Sequence, residues 1–149
     1  MNITYRIANI GDLKTVTELS ILMCEGDYCG WHDDDDILNA LQDPKMATFL
    51  AFDAYKAVGY SRVGIRYEPI WTEGDVGPWG HLDTIFVNSD YRNQGIAQTL
   101  VKMCEDWARE HGCVELSSDC DLDNDGSLAF HLKYGFIETH RLIHFSKKL

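Results

Sequence analysis

At 149 residues the chain has the length of one domain, and an apolar fraction of 45% is enough to fill a single core. No apolar run approaches the roughly 20 residues of a membrane-crossing helix, and the start Met1-Asn2-Ile3-Thr4 lacks a charged-then-apolar export pattern, so a cytoplasmic protein without a membrane partner is expected. A net charge of −11, with no Lys/Arg cluster before Lys147-Lys148, argues against a nucleic-acid partner and suits a surface that attracts cationic small molecules.

Residues 3–7 alternate weakly and predict a first strand. Asp12 reads as the N-cap of a helix to Met23, with Leu13, Val16, Leu19 and Met23 on one face. The stretch 25–36 is acidic and aromatic, with Tyr28, Trp31 and His32 ahead of Asp33-Asp34-Asp35-Asp36. A short helix follows to Gln42 and stops before Pro44. Met46–Asp53 and residues 57–67 predict two strands joined as a hairpin. Residues 68–80 form a loop rich in Gly, Pro and Trp, and residues 81–88 predict the next strand. Beyond it Ala97, Leu100, Val101, Cys104, Trp107, Ala108 and His111 recur at helical spacing, and Gly112 suits the helix end. Residues 113–119 return as a strand. A helix over 124–134 and closing strands near Phe136 and over 142–146 complete an α/β domain covering residues 1–149.

The five cysteines, Cys24, Cys29, Cys104, Cys113 and Cys120, match no zinc-ligand spacing, and free thiols are expected; no metal site is predicted. Cys24 and Cys29 are close enough in sequence to pair, but nothing in the pattern demands it.

The order strand, glycine-containing turn, helix, strand over residues 81–119 is a right-handed parallel crossover. Its turn reads Arg92-Asn93-Gln94-Gly95-Ile96-Ala97. Small residues there let the backbone approach a ligand, and the free N–H groups and dipole of the helix start form an anion site suited to a pyrophosphate. No Gly-Lys-Ser/Thr follows, so it is not a nucleotide-triphosphate loop. Only one glycine of a dinucleotide fingerprint is present.

Residues 82–97, with Arg92-x-x-Gly95-x-Ala97, resemble the acetyl-CoA-binding core of the GNAT acetyltransferases, and Asn124…Ala129…Tyr134-Gly135-Phe136 resembles their next helix. The resemblance implies a GNAT fold: a mixed, mostly antiparallel central sheet with one parallel splayed strand pair, flanked by about four helices. It implies acetyl-CoA as co-substrate. The backbone of Gln94, Gly95, Ile96 and Ala97 would hold the pyrophosphate with help from Arg92. Ile85, Phe86 and Val87 would offer backbone bonds to pantetheine, beside Asn124. The Val87 N–H is the implied oxyanion donor.

A narrower resemblance runs through Gly64-Ile65-Arg66-Tyr67-Glu68, Leu82-Asp83-Thr84-Ile85-Phe86-Val87 and Ser118-Asp119-Cys120-Asp121-Leu122-Asp123-Asn124 to Phe145. These stretches are similar to the aminoglycoside 6′-N-acetyltransferases. The resemblance implies that Asp83 and Asp119 face the acceptor amine and that Tyr67 contacts the substrate. The family usually has Glu at Asp83, and the shorter side chain favours a bridging water. The strand positions agree with these assignments. Asp119 ends a strand, where open α/β sheets bind ligands, and Asp83 is a carboxylate in the middle of a strand with an apolar opposite face. A carboxylate can bind an ammonium group and accept its proton before the amine attacks a thioester.

Many GNAT enzymes place a Tyr five residues before the Phe of the Gly-Phe pair as a general acid. Here that position is His131, as in the aminoglycoside enzymes; it reads either as a proton donor or as a packed helix histidine. Trp31 could stack on a sugar ring, and Asp33 to Asp36 could attract a polycation or simply start a helix. Acetylation of a polyamine or another small amine, and a non-catalytic acetyl-CoA sensor, remain alternatives. The resemblance also implies a homodimer.

Overall fold

The computed structural model describes residues 2–24, 33–67 and 77–149. Its elements follow in the order β1 (Ile3–Ile7), α1 (Leu13–Met23), α2 (Asp34–Gln42), β2 (Met46–Asp53), β3 (Lys56–Arg66), β4 (Trp79–Val87), α3 (Ile96–Glu110), β5 (Leu116–Ser117) and α4 (Asp125–Lys133). The strands form one sheet in the order β1-β2-β3-β4-β5. All neighbours are antiparallel except β4 and β5, which run parallel. The expected mixed sheet with a single parallel pair is therefore present.

The two faces of the sheet hold separate cores. On one face α3 packs Leu100, Val101 and Cys104 against Ala47, Phe49, Val58, Val63, Leu82 and Val87. On the other, Val16 and Leu19 of α1 and Ile37 of α2 cover Leu50 and Tyr60. Each fully buried aliphatic side chain contributes about 1.5–3 kcal/mol, so these cores dominate the stabilisation of the sheet. The helix α3 sits close against β4. A Cβ on Gly80 would lie 2.9 Å from the Ala108 Cβ, so only glycine lets the helix sit at this depth.

Several boundaries differ from expectation. Asp12 does not cap α1. It closes a capping box with Asn9 over a preceding 3₁₀ turn and takes a two-point ion pair from Arg6, at 2.7 and 2.8 Å. The fifth strand is only Leu116–Ser117 rather than residues 113–119, because β5 leaves β4 after two paired residues, Gly80↔Leu116 and His81↔Ser117. Neither closing strand is present: residues 136–149 form no strand, and Ile143 and Phe145 are 80% and 91% exposed. An extended segment becomes a strand only with a hydrogen-bonding neighbour, and the described sheet ends at the two-residue β5. The expectation of free thiols fails at Cys24, which is disulfide-bonded. Cys104, Cys113 and Cys120 are free. No helix among the described residues is long and apolar enough to cross a membrane.

Candidate active site

At its C-terminal end β4 runs into the turn picked out by sequence. A 3₁₀ turn over Ser89–Tyr91 leads to Asn93 at φ 60° and Gly95 at φ 80°. Gly95 is the N-cap of α3 and supplies no side chain to its first turn. The leading N–H groups of a helix have no partner within it, so those of α3 are free for an anion. Ile96 is 2% exposed and part of the core, so its backbone alone can serve a ligand. The Arg92 side chain is partly committed, its Nε donating to the Val87 carbonyl at 3.0 Å. Gln94 donates to the Asp90 carbonyl at 3.4 Å.

Which way β4 points its N–H groups follows from its ladder with β3. The Asn88 N–H donates to Val58 at 2.9 Å, toward β3. N–H groups alternate along a strand, so those of Val87 and Ile85 point the other way, into the gap left where β5 departs. That gap is where the pantetheine and oxyanion donors were expected. The side chains there are core: Ile85 lies under α3, and Phe86 packs near Tyr60 with ring centroids 6.4 Å apart.

Further back along β4 the chain gains one residue. Arg62 pairs with Thr84 and Val63 with Leu82, which leaves Asp83 without a partner on β3. This bulge re-aims the carboxylate. Asp83 Oδ1 accepts from Arg66 Nη2 at 2.9 Å. It also lies 3.7 Å from Nε2 of His81, and Asp119 Oδ2 lies 3.7 Å from the same nitrogen. The two predicted carboxylates therefore converge on one imidazole that sequence reasoning passed over. The available signal was the place of His81 two residues before Asp83 in the same predicted strand.

His81 is 4% exposed, whereas the Asp119 side chain is 87% exposed. Burial, and then the nearby Arg66 charge, push the His81 imidazole below its ordinary value, against the opposing pull of Asp83 and Asp119. Its Nδ1 is 2.7 Å from Ser117 Oγ, and that hydroxyl donates to the Gly80 carbonyl at 3.2 Å. His81, Asp83, Asp119 and Arg66 border a cleft of about 540 Å³ that also reaches Arg62 and Lys45.

The other predicted residues are spread around these two centres. Tyr67, 63% exposed, lies just past β3 with Lys45 Nζ 4.9 Å from its ring centre. Trp31 lies outside the described residues. The Asn124 side chain caps α4 by accepting from the Ser127 N–H at 3.0 Å. His131 is held at both ring nitrogens, by the Ser127 carbonyl at 2.6 Å and Ser118 Oγ at 2.8 Å, and it meets Phe130 and Phe136 edge-on. Asp33 caps α2 through the Asp35 N–H at 2.8 Å.

A mixed sheet that opens beside a free helix start, with a charged cleft further back along β4, can seat an anionic ligand at the turn and a cationic one at the bulge. Residues 15–136 match the model of the acetyltransferase (GNAT) family, and the chain belongs to that family. It is 37% identical over 125 residues to an aminoglycoside N(6′)-acetyltransferase type 1 from Acinetobacter genomosp. 13, covering 80% of this chain and 85% of that one. Aminoglycoside 6′-N-acetyltransferase AAC(6′)-IG from Acinetobacter haemolyticus superposes with a TM-score of 0.87 at 32% identity, over 100% of this chain and 99% of that one. AAC(6′)-Iy, solved with the bisubstrate analogue CoA-S-monomethyl-acetylneamine, superposes with a TM-score of 0.88 at 28% identity, over the whole of both chains.

Proposed function

We propose that this chain, as one domain over residues 1–149, transfers an acetyl group from acetyl-CoA to the 6′-amino group of an aminoglycoside. The observation that carries the reading is the convergence of Asp83 and Asp119 on one side of a cleft that opens from the β4 bulge. The names of the relatives and of the superposed enzymes support the same acceptor.

The fold suits acetyl-CoA on two counts. The free N–H groups at the start of α3 match a pyrophosphate, and a Cβ on Gly95 would meet nothing within 4 Å, so open space adjoins the turn. Gln94 to Ala97 bind through the backbone, with Arg92 bracing the turn at Val87. Ile85 and Val87 offer N–H groups to the pantetheine arm, and Val87 donates to the thioester oxygen as charge develops. Acetyl-CoA supplies the activated acetyl group. Asp83 and Asp119 bind the acceptor's ammonium groups and hold the amine, directly or through the water by which its proton leaves. Tyr67 borders the acceptor side, and Trp31 is assigned to the same wall from sequence alone. Cys104 is no acyl carrier: it is buried and its thiol is pushed up to about 12.

Free-thiol release with kanamycin-type aminoglycosides, polyamines and lysine peptides tests the acceptor; turnover confined to the latter two would refute the reading. Asp119→Asn tests the site. Loss of a charge-assisted bond costs about 1.5–3 kcal/mol, so kcat/KM for aminoglycoside should fall roughly 10- to 100-fold with acetyl-CoA affinity unchanged. An unaltered kcat/KM removes Asp119 from the site.

We propose also that the chain forms a homodimer. Ile143 and Phe145 stand open at the surface, and a second copy would withdraw them from water. Sedimentation of the full chain should give a dimer that Phe145→Asp weakens; a monomer at micromolar concentration overturns this.

A further inference from the structure

The reaction begins with an ammonium group and needs a neutral amine, so one group near the acceptor must take a proton at neutral pH. Asp83 already accepts from Arg66 at 2.9 Å. Asp119 is largely in water. His81 differs from both. It is the buried group between them. Ser117 Oγ lies 2.7 Å from Nδ1 and 3.2 Å from the Gly80 carbonyl. With the hydroxyl proton on that carbonyl, Ser117 accepts from Nδ1–H and the Nε2 lone pair faces the cleft. Asp83 Oδ1 and Asp119 Oδ2, each 3.7 Å from Nε2, are too far for a direct hydrogen bond and leave room for one bridging water.

We infer that His81 Nε2 is the proton acceptor for the incoming amine, working through a water held between Asp83 and Asp119. This deepens the reading above and rests on it. The acceptor's R–NH₃⁺ gives one proton through the water to Nε2, forming an imidazolium between two carboxylates. The neutral nitrogen then forms the C–N bond as the C–S bond breaks. The second proton lost by nitrogen ends on the coenzyme A sulfur, giving the amide and free thiol. The imidazolium returns its proton to solvent through the open cleft. Ser117 is a positioning residue: it holds the ring so that the basic nitrogen faces the substrate.

Among the described residues, the charged groups around this cleft are Arg62 and Arg66 from β3, Asp83 from β4, Asp119 beyond β5, and Asp43 and Lys45 ahead of β2. Burial and Arg66 hold the neutral imidazole to lower pH than an ordinary histidine, which keeps the acceptor form available at neutral pH. The kcat/KM profile should therefore fall on its acid side as His81 protonates, below the usual histidine range.

His81→Asn provides the test, since its amide can still donate to Ser117 but cannot hold the amine's proton. With a kanamycin-type aminoglycoside, kcat/KM should fall roughly 10²- to 10⁴-fold at neutral pH. The acid limb should vanish, while calorimetric affinity for acetyl-CoA stays within about two-fold. Ser117→Ala should lower kcat up to about ten-fold with the limb retained but moved. Wild-type kcat/KM and an unchanged acid limb in His81→Asn overturn the inference. If that variant does not fold, ¹⁵N NMR of the wild-type imidazole decides. A proton on Nδ1 with Nε2 bare at neutral pH supports it, and a proton on Nε2 overturns it. The NMR result does not require turnover. Absence of any aminoglycoside acetylation by wild type thus refutes the function, whereas turnover with an indifferent His81→Asn refutes only this role.

Discussion

The C-terminal end of β4 and the bulge at its middle solve different problems with different parts of the chain. At the C-terminal end the working groups are backbone: the N–H groups of α3's first turn and of Ile85 and Val87. Side chains there are packed into the core, as Ile96 is, or brace the turn, as Arg92 does. At the bulge the working groups are side chains drawn from two strands and the segment after β5: Arg66, His81, Asp83 and Asp119. A cofactor common to many acyltransferases can be met by geometry that a short local sequence encodes. An acceptor particular to one enzyme needs charges that only tertiary structure brings together.

If this contrast is right, the turn should tolerate loss of side chains and not of conformation. Gly95→Val forces a β-branched residue to φ 80°. That strain is worth about 1–3 kcal/mol, so KM for acetyl-CoA should rise roughly 10- to 100-fold, with thermal stability also lowered. Gln94→Ala removes only an exposed side chain and should change the same KM by less than about two-fold. Titration calorimetry with acetyl-CoA separates the two. Equal losses in both variants would mean that the turn binds through side chains.

The same contrast explains what could be read from sequence. Met46–Asp53 and the α3 periodicity were legible because each is a local pattern of apolar spacing. Gly95 was legible because a strand-to-helix turn needs a residue tolerant of positive φ. Asp83 and Asp119 were found through resemblance, whereas the groups that surround them were not. Arg66 reaches Asp83 across 17 residues of chain, and His81 reaches Ser117 across 36. Nor does period-two alternation reveal a bulge, because the extra residue breaks that period. The closing strands failed for a related reason, since alternation over 142–146 states a capacity to pair and not the presence of a partner. Asp12 was misjudged more simply. Its capping box with Asn9 is a local spacing that could have been read.

A smaller effect sharpens the acceptor side. Arg66 lowers the His81 value and Asp119 raises it. Removing the cation in Arg66→Gln should let His81 protonate at higher pH, which moves the acid limb of kcat/KM upward. Asp119→Asn should move the limb downward, separately from its loss of rate. Opposite displacements in the two profiles are expected at low ionic strength, and both should shrink as salt is added. Shifts of the same sign would show that the limb belongs to another group.

The smallest expected effect concerns the thiols. Cys104 sits under α3 at 0% exposure, its Sγ donating to Ser61 Oγ at 3.2 Å, and burial pushes it up to about 12. Burial also raises Cys113. A thiol reacts as thiolate, so neither should alkylate in the native fold, and exposed Cys120 should react first. Mass spectrometry after brief iodoacetamide treatment should find label on Cys120 and none on Cys104. Cys120→Ser removes the exposed free thiol next to Asp119. Treating that variant then isolates the question, and its acetylation rate should be unchanged within about two-fold. A rate that instead decays with labelling would place a cysteine in the reaction and would move the chemistry away from the side chains gathered at the bulge.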